Sequence, residues 1–226
     1  MAAQGAPYCR YRSLPHGRAM LFTDHHANVL YDLLRWRRDV RHFRPDPVSH
    51  QQLAKLEEAV ALAPSVGNSR PWRIVRVESG QLRRRIIENH EKANCAAADQ
   101  YEVERRSAYR SLKLAGLSEA PVHLAVFTDL DPCAGHGLGR QTMPETLIYS
   151  TVIAIHSLWL AARSLNLGVG WVSILEPDDI RNCLDVPPSW HFTAYLCLGH
   201  AAFDDDTPEL ERLGWQDETR TSWLIR

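Results

Sequence analysis

"ETLIYSTVIAIHSLWLAARSL" (145–165), followed at once by "NLGVGWVSIL" (166–175), is the stretch on which the fold turns. Apolar residues run nearly all the way round a helix drawn over 145–165. That pattern marks a helix buried on several sides, not an amphipathic surface helix. Asn166 and Gly168 are residues able to end it, and "GVGWVSIL" reads as a strand.

Working outward toward the N-terminus, "VHLAVFTD" (122–129) is a second strand, and the glycine-rich "PCAGHGLGRQTMP" (132–144) is a flexible loop. Residues 81–117 read as helix in two pieces, "LRRRIIENHEKAN" and the highly charged "YEVERRSAYRSLKLAGL". "WRIVRV" (72–77) is a strand entered from the loop "APSVGNSRPW" (63–72). Ser49 caps a helix whose Leu53, Leu56, Val60 and Ala63 recur at helical spacing. Asp24 is the expected N-cap of a first helix running to about Arg38, with Val29, Leu30, Leu33 and Leu34 on its inner face. "RPDPVS" (44–49) separates the two, because Pro45 and Pro47 do not fit a regular helix. Toward the C-terminus, "PDDIRNCL" (177–184) is a short helix and "FTAYLCLG" (192–199) a strand. The sum is an α+β protein: a loose extension over residues 1–22, then a single domain over 23–226 with no internal repeat or linker.

Composition narrows the function classes. At 226 residues with 45% hydrophobic and 23% charged residues, the chain can bury a substantial core. A net charge of −1 gives no global attraction to nucleic acid or to an anionic membrane. The five cysteines are scattered, with no CxxC spacing. That argues against a disulfide framework or zinc site and suits a reducing cytoplasm. No run of 18 apolar residues marks a membrane span. "GHGLG" and "GVG" fit neither GxGxxG nor a P-loop and read as turns and caps. The eleven histidines form no HExxH, and there is no GxSxG to anchor a hydrolase.

One segment stands out chemically. "RWRRDVRHF" (35–43) places four arginines around Asp39 where the first helix ends. It reads either as a solvated, ion-paired helix end or as an anion site with a carboxylate inside it. Arg37 and Arg41, four apart, could reach one anion together, with Arg38 between them.

The order of short segments separates these readings. "RRDVRHF" at the end of the first helix and "APSVGNSRPW" after the second resemble the motifs of the flavin-dependent nitroreductase superfamily. "YRSLKLAG" before a strand and "YSTVIAIHSLWLAARSLNLGVGWVSI" are similar to the BluB family, the 5,6-dimethylbenzimidazole synthases, as is the acid at position 39, where nitroreductases commonly carry Ser. The resemblance spans roughly residues 24–215. It departs at "NSR" (68–70) and in the short chain after "GW" (214–215), where Arg220 finds no clear counterpart.

What the resemblance implies is specific. The fold would be a central, mostly antiparallel sheet flanked by helices, in a homodimer with two flavin sites at the subunit boundary. Reduced FMN would be a substrate, fragmented with dioxygen to 5,6-dimethylbenzimidazole and erythrose 4-phosphate, and supplied by an external flavin reductase. Arg37 and Arg41, with Arg38 between them, would hold the FMN phosphate, and Val40 would also contact the cofactor. Asp39 would face the flavin ring and exchange protons with the reacting flavin and its ribityl chain. Ser65 and Gly67 would lie beside the ring, where a residue without Cβ admits close backbone approach. Ser173 would set its hydroxyl near the central-ring nitrogen, and Lys113 and Leu114 would belong to a lid. No metal is implied. An NAD(P)H-dependent nitroreductase, a corrinoid reductase and a non-catalytic flavin-binding module are the competing readings.

Overall fold

A computed structural model describes residues 20–111, 115–219 and 221–226. Most of the expected extension, residues 1–19, lies outside the described residues, as do Lys113, Leu114 and Arg220.

The described helices are α1 (Asp24–Trp36), α2 (His50–Ala61), α3 (Gly80–Ala98), α4 (Val103–Ser111), α5 (Gly116–Glu119), α6 (Thr146–Ser164), α7 (Pro177–Cys183) and α8 (Glu209–Arg212). The strands are β1 (Trp72–Arg76), β2 (Val122–Asp129), β3 (Gly168–Val172) and β4 (Trp190–Gly199). They form one four-stranded sheet, order β1-β2-β4-β3, in which every pairing is antiparallel.

β2 is buried along almost its whole length, so its alternation serves two cores. Val122, Leu124 and Val126 join Leu56 and Val60 of α2 and Ala154, Ile155 and Leu158 of α6 on one face. Ala125 and Phe127 join Ile86 of α3, Ile180 of α7 and Phe43 on the other. Ser49 caps α2 as expected, its hydroxyl accepting the Gln52 amide. The cap of α1 is corrected: Thr23, one residue earlier than Asp24, is the N-cap, with His26 closing the box. The expected inner face of α1 is corrected too. No residue of α1 is buried in this chain, and Val29, Leu30 and Leu34 stay exposed.

α6 is long and apolar enough, by length and composition, to cross a membrane. Here it is a core helix: Leu147, Thr151, Ala154, Ile155, Leu158 and Ala162 are buried. Tyr149, Val152 and Ile153, on its other side, are exposed. Asn166 ends it in the left-handed region, φ 57°.

The second core contains a buried polar pair. His123 Nδ1 lies 2.9 Å from the Tyr195 hydroxyl and Nε2 lies 3.2 Å from the Ala120 carbonyl oxygen. Nε2 therefore donates to the carbonyl and Nδ1 accepts from Tyr195. Burial, then the nearby Arg83 charge, lowers the His123 pKa to about 4, against the Ala120 hydrogen bond. The unfolded chain takes up a proton near pH 6.5, and the folded one does not until about 4. Stability is thus complete above pH 6.5 and falls as pH drops toward 4, by up to about 3 kcal/mol. Urea titrations should show this acid loss in the native chain and a shallower one in His123→Gln. Equal losses would assign the acid sensitivity to other groups.

Candidate functional site

Arg37 closes α1 with its N–H on the Leu33 carbonyl, 2.9 Å, and the backbone turns extended. The segment then runs along β3, an outer strand of the sheet, and on past the end of β4. Asp39 bridges Val169 in parallel and Phe43 bridges Ala201 antiparallel. The Val40 amide donates to the Val169 carbonyl at 3.0 Å, and the Arg44 amide to that of His200 at 2.8 Å. The sheet edge is covered by this chain's own motif. The approach is close: a Cβ at Gly170 would collide with the Val40 carbonyl oxygen. "GVG" opens β3, the strand expected from "GVGWVSIL", and Val40 crosses over it.

That crossing fixes Asp39. Its Oδ1 accepts the Trp171 amide at 2.8 Å, and its Oδ2 lies 3.6 Å from Arg41 Nε. Arg41 Nε is 3.8 Å from Glu209 as well, so two carboxylates share one guanidinium. Burial raises the Asp39 pKa, with a smaller push from Glu209, although the Trp171 amide and Arg41 oppose it. Burial thus outweighs the surrounding positive charge.

The arginines diverge. Arg37 lies over the Trp159 ring, 4.8 Å from its centroid. Arg38 donates through Nε and Nη2 to the Asp206 carbonyl at 2.9 and 2.5 Å, and its own carbonyl accepts the Trp159 indole N–H at 3.3 Å. Arg37, Arg38, Asp39, Val40 and Arg41 nevertheless line one cavity, together with Arg163, Glu209 and Arg212. Arg163 pairs with Asp204 at 2.6 Å and Arg212 with Asp205 at 3.1 Å. Buried Arg41 Nε lies near both carboxylates without a hydrogen bond to either.

Ser173 follows β3 directly, two residues beyond the amide that Asp39 holds, and is exposed. Asp39 and Ser173 therefore share one end of one strand. Ser65 and Gly67 are elsewhere. The Ser65 hydroxyl accepts the Arg70 amide at 3.0 Å, and Gly67 has φ 56° and meets the 135–138 loop backbone. The Val66 amide is tied to Ser150, whereas Arg38 is tied to Trp159. These positions on α6 are separated by roughly 13 Å of helical rise. Asp39 and the arginines line one cavity, Ser173 stands two residues along the chain from the Trp171 amide that Asp39 holds, and the Ser65–Gly67 loop lies apart.

Trp159, Glu209 and the acids 204–206 are site residues that the motif reading missed. The run "DDD" in an arginine-rich chain was the visible signal; its pairing with Arg38, Arg163 and Arg212 was not.

The sequence profile described as "Nitroreductase family" matches residues 34–200. A 5,6-dimethylbenzimidazole synthase of Rhodobacter capsulatus is 52% identical over 207 residues, covering 92% of this chain and 100% of that protein. That of Rhodospirillum rubrum is 54% identical, covering 87% and 93%. Among solved structures, oxidized iodotyrosine deiodinase bound to FMN and 3-iodo-L-tyrosine superposes with TM-score 0.69 at 20% identity, covering 87% of this chain and 97% of that one; at that identity the likeness is one of fold. The chain belongs to the nitroreductase family and, within it, to the family of the 5,6-dimethylbenzimidazole synthases.

The site's electrostatics can be measured directly. The Asp39 carboxyl should titrate above the ordinary aspartate value of about 3.9, read from its side-chain carbon shift by NMR. A midpoint at or below that value would show that Arg41 and the Trp171 amide outweigh burial.

Proposed function

We propose that the protein is a 5,6-dimethylbenzimidazole synthase that takes reduced FMN as substrate and, with dioxygen, fragments it to 5,6-dimethylbenzimidazole and erythrose 4-phosphate. The observation that carries this is the Asp39 carboxylate, held by the Trp171 amide within an arginine-lined cavity. The identity to the named synthases supports the same reading.

The residues fit the substrate. A phosphate would meet the Arg41 guanidinium, with Arg37 and Arg38 lining the same cavity. Asp39, with its proton affinity raised by burial, holds a proton more readily than an ordinary aspartate. Its Oδ1 is committed to an amide, so proton exchange falls to Oδ2, with Arg41 beside it. The Ser173 hydroxyl can donate or accept and so suits a flavin ring whose nitrogen changes protonation. Lys113 and Leu114 belong to this reading as lid contacts by family resemblance. A separate flavin reductase would supply the reduced FMN, and the scattered cysteines suit a reducing cytoplasm.

The site is completed by a second copy. Ser65 and Gly67 sit at the far end of α6 from Asp39, so a two-fold partner would bring its own Ser65–Gly67 loop to each cavity. Val29, Leu30 and Leu34 of α1 with Tyr149, Val152 and Ile153 of α6 supply the exposed apolar surface for that contact. Light scattering should return a dimer; a monomer that still binds FMN fully would remove this part.

Asp39→Asn preserves shape and keeps an oxygen for the Trp171 amide, yet cannot act as a carboxylate base. It should bind reduced FMN and let dioxygen reoxidise it, while dimethylbenzimidazole formation falls by roughly 10²–10⁴-fold. In the wild type, the rate should fall as pH drops through the raised Asp39 pKa, and this limb should vanish in the variant. Equal yields from both proteins would sink the assignment. Rapid NAD(P)H oxidation with a nitroaromatic or corrinoid acceptor and no benzimidazole would replace it with a reductase. Intact FMN returned by both would replace it with a flavin-binding module.

A further inference from the structure

Two buried polar side chains of α3 play no part in the chemistry above. Ile86, Asn89, His90 and Ala93 form its buried stripe, so Asn89 and His90 stand where the helix meets the core, each only 9% exposed. Polar groups placed there are costly unless hydrogen-bonded.

Both bond to one short turn. Asn89 Oδ1 accepts the Glu176 amide at 2.9 Å, and its Nδ2 lies 3.5 Å from the Glu176 carbonyl. His90 Nδ1 lies 2.9 Å from the Ile174 carbonyl; a carbonyl only accepts, so Nδ1 carries the proton. This turn, 174–176, begins at the residue after Ser173. On the other side of Ser173, the Trp171 amide is held by Asp39. Val172 and Leu175 are buried to either side. Ser173 is thus an exposed hydroxyl between two fixed points.

Helix capping alone does not account for the arrangement. Glu176 is the N-cap of α7 and makes no side-chain cap bond, whereas Ser49 caps α2 from its own position. At α7 the acceptor comes from another helix, which fixes the turn relative to α3 as well as closing the helix. The His90 bond to Ile174 lies outside the cap.

We propose that Asn89 and His90 are positioning residues for the synthase reaction, holding turn 174–176 so that the Ser173 hydroxyl is presented at the strand end where Asp39 is held. The proposal rests on the reading of Ser173 as a flavin-contacting residue. A reacting group displaced by about 1 Å can cost up to roughly a hundredfold in rate, so small losses of register at this turn are felt in catalysis.

The test uses the full chain with chemically reduced FMN in air, measuring dimethylbenzimidazole by mass spectrometry under single-turnover conditions. His90→Leu removes the donor and should slow product formation roughly tenfold or more. His90→Asn places an amide N–H near the Nδ1 position and should recover most of the rate. Combined with Ser173→Ala, His90→Leu should add little to the loss from Ser173→Ala alone, because coupled residues are non-additive. If His90→Leu does not fold by circular dichroism, His90→Gln, polar but with its amide one carbon further out, makes the same comparison. A wild-type rate in His90→Leu, or a full additional factor on the Ser173→Ala background, overturns the proposal. A wild-type rate in Ser173→Ala alone overturns the reading beneath it, and is told apart because it needs no change at His90.

Discussion

The structure of the site depends on one close crossing, that of the Val40 backbone over Gly170. β3 is an outer strand, and an outer strand left open is a row of unpaired amides and carbonyls. The chain's own residues Asp39 and Val40 pair along it, through the Val40 amide and the Asp39–Val169 bridge, and Phe43 bridges Ala201 just beyond β4. Only glycine at position 170 permits this, since a Cβ there would strike the Val40 carbonyl. The same contact that finishes the sheet delivers Asp39 to the Trp171 amide and holds its carboxyl in partly desolvated surroundings. Fold closure and carboxylate placement are one event, so neither can be altered without the other.

Most charges around this crossing are paired within the chain. Arg41 lies between Asp39 and Glu209, Arg163 on Asp204, Arg212 on Asp205 and Arg38 on the Asp206 backbone. An anion entering the cavity would exchange partners instead of meeting free cations. Affinity would then depend on the difference between two sets of contacts, not on the count of guanidiniums. Most of these pairs are partly exposed and individually weak. Arg41 differs: its Nε is buried between two carboxylates and lacks a hydrogen bond.

Much of the fold was legible because local pattern and packing agree. "VHLAVFTD" is β2 to the residue, and Ser49 with Gln52 caps α2 as its sequence indicates. α1 shows where legibility ends. Its apolar spacing is real, yet the face it makes is exposed in this chain; periodicity reports that a face needs covering, not which chain covers it. The site divides likewise. Asp39 and the arginines are contiguous in sequence, so their nearness was visible. The directions of the arginines depend on Trp159 and residues 204–209, which are long-range partners without a local signature. Asn89 and His90 did leave a trace: with Ile86 and Ala93 they follow the i, i+3, i+4, i+7 spacing of a buried face. Polar residues at such positions signal a bonding task.

α6 joins these points. A helix apolar nearly all the way round has to bury more than one sheet can cover. One side lies on the sheet through Leu147, Thr151, Ala154, Ile155 and Leu158, and the other leaves Tyr149, Val152 and Ile153 open beside the exposed face of α1. The residues that anchor other segments are the polar or amphipathic ones at its two ends. Ser150 takes the Val66 amide near the start, and Trp159 takes the Arg38 carbonyl and the Arg37 guanidinium toward the finish. A rigid helix cannot bring its own two ends together, so motifs tied to opposite ends stay apart within one chain. The nearly continuous hydrophobicity that identified α6 in the sequence and the separation of the two loop motifs in space therefore have one cause. The helix is a spine with a motif at each end and one side left for another surface.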